Sequence, residues 1–319
     1  MSCPNSDPAA YVQALRAKST DNSPSGRLRV IKAQTLASYH ANNQLLNDFG
    51  GSAKPQSAET LLLRTVGTNQ LNGDCNYCTT TQYAYFTTVG SFTWTAPATC
   101  QSPITYWIVG GGGGGGGAYD NAGAGGGGGG QALSGTYSVT PNTIYTIVVG
   151  EGGTGGSGDG SPPPTSETSG VSGGNSSFDA ATAFGGGFGS RSRLNGNGNG
   201  GIAASPSQAS LGGNGGGGGG AGGGGGGAAG NGGNRPSTSV AGIGGTGIPF
   251  TIVGINGGSS VTYGIGGSGA TNANTTGSSG SPNTGAGGGG GGALSSSPSG
   301  VTQNGGNGGS GLVVIQYNA

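Results

Sequence analysis

The side chains able to do chemistry are few and far apart. They comprise one histidine, His40, four cysteines, and, from Gln101 onward, five carboxylates (Asp120, Glu151, Asp159, Glu167, Asp179) with three arginines. General-base catalysis at His40 needs a nucleophile and an orienting partner, and none is identifiable around TLASYHANNQ, so a structural or exposed role is expected. A glycosidase needs two carboxyls held at a set separation across a rigid cleft, whereas these five are scattered through loop-like sequence. Calcium at Asp120/Asn121 or Glu151/Asp159 ranks below solvated loop acids. The chain is therefore expected to have no catalytic residue, no metal site and no cofactor, and not to be an enzyme.

Cys75 and Cys78 form a C-x₂-C pair, with Cys100 after Trp94 and Cys3 near the start. A zinc site lacks a second close pair at ribbon-like spacing, and a redox role lacks a βαβ context. Disulfides among Cys3, Cys75, Cys78 and Cys100 are the favoured reading, in any of three pairings, with zinc and free thiols as the alternatives. Disulfides would imply an oxidising setting for the mature protein. The G-x-G-x-x-G phosphate-loop pattern matches in many registers and means little, because no helix-forming segment follows any glycine run and no GK[ST] occurs. A basic group (Arg16, Lys18, Arg27, Arg29, Lys32) is too dispersed for a phosphate footprint, and no RGG repeat or RNP signature is present, so no nucleic-acid partner is expected.

What must position any functional surface is glycine. Of 319 residues, 83 are glycine, and five runs of six or more stand at 110–117, 125–130, 215–220, 222–227 and 287–292. A lone run is a flexible linker. Here several runs are fastened by apolar strands: 104–109 (ITYWIV) leads into the first, 143–149 and 250–254 lead into glycine again, and 312–317 (LVVIQY) leaves glycine for a closing strand. Extended glycine adopts the polyproline II helix, whose donors and acceptors must find partners on neighbouring chains. Without Cβ atoms such helices approach closely on every side, so the runs predict a polyglycine II bundle. Collagen is a poor alternative, since a triple helix needs glycine at every third position with proline-rich residues between, whereas these runs are glycine throughout and their interruptions keep no period.

The remaining strands are expected at 85–95, one edge strand bulged at Gly90, and at 137–139, giving a β-sandwich signature. Small anchors follow at Phe178, Phe184, Phe188, Leu194 and Leu211. The fold class is thus all-β: sandwich-like strands flanking a polyglycine II bundle, over residues 83–319. Residues 1–82 hold seven of the ten basic residues and little glycine. They read as an extended, partly helical arm (helices at 9–18 and 31–49) that anchors to or exchanges with a neighbouring subunit. Charged residues make up 6% of the chain and balance to zero, which favours dense self-association over steering toward polyanions. No stretch approaches a membrane span, and the opening MSCPNSDPAAYVQAL has no secretory pattern, so synthesis as a soluble cytosolic product is expected.

Residues 107–130, PNTIYTIVVGEGGTGG at 141–156, GGNSSF at 173–178 and the terminal GGNGGSGLVVIQY resemble, in order and over about two thirds of the chain, the glycine-rich domain of bacteriophage tail-fibre and tip proteins and of giant DNA virus surface proteins. The resemblance implies strands flanking polyglycine II helices, assembly into virion appendages, and in some members receptor binding by loops between glycine runs. The expectation is a viral structural protein, made in the host cytoplasm and placed on the virion surface. It would self-assemble, with other virion proteins as partners, into a fibre, filament or capsid-associated layer. The alternative is a fibre-tip adhesin binding host glycan through loops at Tyr119, Asp120, Asn121 and Tyr263. An ice-binding bundle ranks last, for want of regular Thr or Ser ranks.

Overall fold

A computed structural model describes residues 80–119, 121–158, 167–192, 198–203, 212, 220–294 and 303–319. The arm helices expected at 9–18 and 31–49, His40, the basic group and Cys3, Cys75 and Cys78 lie outside them.

The described chain is all-β. Ten strands occur: β1 (Thr81–Phe86), β2 (Gly90–Thr95), β3 (Gln101–Val109), β4 (Ala132–Tyr137), β5 (Ile144–Val149), β6 (Ser176–Phe178), β7 (Ala181–Ala183), β8 (Ile248–Thr251), β9 (Ser260–Tyr263) and β10 (Leu312–Asn318). They build two four-stranded antiparallel sheets, ordered β1-β10-β3-β4 and β2-β5-β6-β7, and a β8-β9 hairpin. The expected bulged strand at 85–95 is instead two strands in different sheets. Gly90 takes φ 141, a backbone state closed to most side chains, and the chain crosses from one sheet to the other there.

The sheets face each other across Trp94, Tyr145, Ile147 and Phe178 on one side and Ile104, Ile108, Val313 and Ile315 on the other. The opposite face of the first sheet carries Val109, Leu312 and Val314, packed with Ile252 and Tyr263 of the hairpin region. Residues 312–315 are therefore buried on both faces, which is why that strand reads as an unbroken apolar run rather than an alternation.

Strands hand over to glycine without losing register. Val109 pairs with Ala132 as the last rung of β3-β4, and the next residue's Gly110 N–H donates to the Gln131 carbonyl. From there the partner changes with every residue and returns every third. Gly110, Gly113 and Gly116 donate to Gln131, Gly128 and Gly125; Gly111, Gly114 and Gly117 to Gly174, Val171 and Thr168; Gly112, Gly115 and Ala118 to Gly309, Gly306 and Gln303. That period is the three-residue turn of polyglycine II, so residues 110–118 form a rod about 28 Å long at about 3.1 Å per residue.

The same rod accepts from 153–156, 186–192 and 288–291. Adjacent members of this surrounding set bond to one another as well: 168 to 157, 170 to 189, Gly125 to Ser190, Gly127 to Gly288, 306 to 289, and 305 to 156. The first rod is thus enclosed by a closed ring of six. A second ring encloses the rod at 123–131, formed by 110–117, 184–190, 198–203, 220–226, 264–270 and 285–292. Both central rods are buried over their glycines.

The expectation that interruptions keep no period is corrected by the outer rods. Glu151, Thr154 and Ser157 are exposed at a spacing of three, with glycine between them, and Ile243/Thr246, Ile265/Ser268 and Asn304/Asn307/Ser310 follow the same spacing. A rod at the boundary of the array has one of its three faces free of a neighbour, so one residue in three can carry a side chain; an enclosed rod has no such face. Several of these side chains take the place of a missing neighbour. Asn307 Oδ1 accepts the Gly155 N–H and Asn304 Oδ1 the Gly158 N–H, both at 2.8 Å, and Asn175 Oδ1 accepts the Gly185 N–H at 2.9 Å. Backbone donors that would otherwise face outward unpaired are satisfied in this way.

Candidate functional surface

The rods alternate in direction, so their connections gather at two ends, one against the sheets and one remote from them. At the remote end lie Tyr119 at the close of the first central rod, Asn121 and Ala122 at the start of the second, and the turn 271–274, beside the ends of the rods at 264–270 and 285–293. Tyr119 is half-buried and its N–H donates to the Ser192 carbonyl. Asn121 takes φ 51, a left-handed state that asparagine tolerates, and its Oδ1 accepts the Asn272 Nδ2–H at 3.0 Å. Asn274 Oδ1 accepts the Leu294 N–H at 2.9 Å. Asp120, between them in sequence, lies outside the described residues. The remote end thus brings Tyr119, Asn121, Asn272 and Asn274 into one region with amide and phenol chemistry, with Arg191 next in sequence to the Ser192 that Tyr119 meets.

Tyr263 does not join them. It closes β9 at the sheet end, 1% exposed, with its ring against Phe250 at 5.6 Å and its hydroxyl buried, and burial pushes the phenol pKa up. The reason is register: Tyr263 pairs with Ile248 and falls on the hairpin face turned to the first sheet, which the isolated sequence VTYG did not reveal. At 1% exposure it is not placed to contact a glycan, contrary to the expectation from sequence.

Cys100 is a free, buried thiol, so the disulfide expected of it is not formed; it packs in the intersheet core, and burial raises its pKa. The other three candidate cysteines lie outside the described residues.

The carboxylates of the glycine domain do not converge. Glu151 is exposed on an outer rod, while Glu167 is buried near the remote end, where the Arg191 side chain donates to its backbone carbonyl at 3.1 Å. Asp179, at φ 49 in the β6-β7 turn, accepts a short hydrogen bond from the Tyr137 hydroxyl, which raises the Tyr137 pKa, with burial adding to it. Asp159 lies outside the described residues. Among the described residues no group of three or more His, Cys, Asp or Glu could hold a metal ion, and no helix is long and apolar enough to cross a membrane.

Sequence reasoning missed the surface ranks, although the signal was present. EGGTGGSG at 151–158 and NGGNGGSG at 304–311 carry a non-glycine residue at every third position.

Compared with known proteins, residues 87–318 match the sequence profile of a family described as the glycine-rich domain. No curated protein matches the chain.

Proposed function

The chain belongs to the glycine-rich domain family, and from that footing we propose that it is a viral structural protein that self-assembles into a surface fibre, filament or capsid-associated layer. The observation that carries this reading is the pair of closed rings, in which glycine backbones saturate one another across the array. Such a column has no soft interior, and bearing load is what its chemistry suits. Its outward ranks support lateral packing of copies: Thr154, Ser157, Ile243, Thr246, Ile265 and Ser268 are exposed and uncharged, and Glu151 is the charged member of the first rank. The viral setting follows the resemblance at 107–130, 141–156, 173–178 and 305–317. In it the chain is made in the host cytoplasm and carried on the virion surface, with the residues before β1 engaging a neighbouring subunit or other virion proteins. No catalysis and no cofactor belong to this role. Negative-stain microscopy of the purified full chain tests it: long polymers or sheets are expected, and discrete particles at every concentration would overturn it.

One observation favours a second reading, a fibre-tip adhesin. The turns remote from the sheets bring Tyr119, Asn121, Asn272 and Asn274 together, and aromatic and amide groups of that kind suit host glycans. Glycan-array binding by discrete particles, lost in Asn121→Ala, is the result that would put this reading first.

A further inference from the structure

An asparagine followed by glycine is open to attack by its own backbone. The nitrogen of the next residue can reach the side-chain carbonyl carbon, and a glycine there places no Cβ in the path. Five such pairs lie among the described residues, at Asn199, Asn231, Asn256, Asn304 and Asn307, and Asn256-Gly257 in a hairpin turn contrasts with Asn304-Gly305 and Asn307-Gly308 on one rod.

The latter two are tied at both reacting groups. Asn304 Oδ1 accepts the Gly158 N–H at 2.8 Å while the Gly305 N–H donates to the Gly156 carbonyl at 2.9 Å. Asn307 Oδ1 accepts the Gly155 N–H at 2.8 Å while the Gly308 N–H donates to the Gly153 carbonyl at 2.8 Å. Attack at either place requires a rod to leave the array.

Asn256 is different. It sits exposed at the tip of the β8-β9 hairpin with φ 47, followed by Gly257 at φ 63, and nothing lies within 4 Å of where a Gly257 Cβ would stand. The hydrogen bonds of this turn are donated by the Gly258 and Ser259 N–H groups, to Ile255 and Asn256 carbonyls. Among the described residues neither the Asn256 side chain nor the Gly257 N–H is engaged. The exposed turn can therefore rotate into the attacking geometry without opening a strand or a rod.

We propose that Asn256 is a self-modification site, converting through a cyclic imide to aspartate and isoaspartate. The Gly257 nitrogen, giving up its proton to base, forms a bond to Asn256 Cγ; the Cγ–Nδ2 bond breaks and ammonia leaves. Water then adds to one of the two imide carbonyls and opens the ring. Opening at one gives aspartate; opening at the other carries the chain through the side chain and gives isoaspartate. No oxidant or reductant takes part. The product places a new carboxylate on a chain with only 10 acidic residues, three positions after Val253, whose carbonyl accepts the Tyr85 hydroxyl.

The test is incubation of the full chain at mildly alkaline pH, followed by proteolysis and mass spectrometry of the three peptides. In the folded protein the Asn256 peptide is expected to lose ammonia, regain water and split into an aspartate/isoaspartate pair. The Asn304 and Asn307 peptides should convert at least about tenfold more slowly, the factor that about 1.4 kcal/mol of local opening imposes. In denaturant the three rates should converge. Gly257→Ala, which meets open space but is strained at φ 63, should slow the Asn256 reaction and, the strain being confined to an exposed turn, leave the fold intact by circular dichroism. Equal rates at the three sites in the folded chain, or an unreactive Asn256 in native and denatured protein alike, would overturn the proposal.

Discussion

Gly114→Ala distinguishes a packed array from a flexible linker by the sign of its effect. A Cβ at Gly114 would stand 2.0 Å from the Thr154 carbonyl oxygen, 2.4 Å from its carbon and 2.9 Å from the Gly155 nitrogen, where ordinary contact begins at 3.4 Å. Every one of these atoms is backbone, so no side chain can rotate aside and the rods must separate by an ångström or more. Separation breaks the bonds between these two rods that flank the clash, Gly153 N–H to the Gly112 carbonyl and Gly156 N–H to the Gly115 carbonyl, both 2.8 Å. At about 1 kcal/mol for each bond and about 1–3 kcal/mol for overpacking, the loss outweighs the 0.4–1 kcal/mol or so gained by stiffening the unfolded chain. The net destabilisation is about 2–4 kcal/mol, or a Tm lower by about 4–16 °C for a domain of this size. Thr154→Ala, an exposed position on the rod that Gly114 would strike, is the control and should fall within about 0.5 kcal/mol of the parent. Thermal and denaturant unfolding of the two variants against the parent measures both. A Gly114→Ala protein as stable as the parent, or more so, would refute the enclosed-rod account, because that is how a linker glycine behaves.

Asn307→Ala removes the acceptor of the Gly155 N–H from a partly solvated edge, and a loss of about 0.5–1 kcal/mol in the denaturation midpoint is expected. Amide exchange should be slowest over 110–117 and 123–130, opening only with global unfolding, and fast exchange there at neutral pH would contradict the two closed rings. The Tyr263 phenol is held above its ordinary value by burial, so the unfolded chain ionises first; its contribution is complete below pH about 10 and is lost as pH rises through the folded value. Tyr263→Phe, which removes a buried hydroxyl without a partner, should match or exceed the parent's stability and weaken the alkaline loss seen in a denaturation series. Cys100 should resist alkylation until the protein unfolds, with the reaction followed by mass.

Much of the architecture could be read from the chain because its two signals are local. Apolar runs at 104–109 and 312–317 are largely buried strands and 144–149 a strand buried at alternate residues, and glycine runs between strands require neighbours for their amides. What escaped depended on which neighbour a residue meets. Nothing in YFTTVGSFTWT distinguishes a bulge at Gly90 from a crossing between sheets, since both use a left-handed glycine. Tyr263 looked like a loop residue because the hairpin that buries it is closed by Ile248, fifteen positions earlier. Cys100 was counted with the other cysteines on number alone, while its place between the sheets follows from Trp94 and Ile104 on either side of it. The remote-end group of Asn121, Asn272 and Asn274 joins residues some 150 positions apart, and only the directions of the rods bring them together.

Glycine content in this chain encodes position. A rod enclosed on all three faces admits no Cβ along its middle, and residues 110–117 accordingly hold eight glycines without a break; buried alanines enter only at the remote end, where Ala118, Ala124 and Ala293 pack together. A rod with one open face admits one side chain in three, and 151–158 and 304–311 show that pattern. The glycines alone would not choose this arrangement, for their entropy cost is the highest of any residue and one glycine register is as good as another. The strands remove that degeneracy. β3 and β4 meet at Val109 and Ala132, so the first rod-to-rod bond, Gly110 to Gln131, forms between residues already held side by side, and each later bond extends a register set by apolar side chains. The sheets are the template and the rods the copy, which requires that disrupting the intersheet core at Phe178 or Ile108 also release the amides of 110–117, although neither side chain belongs to the glycine rod.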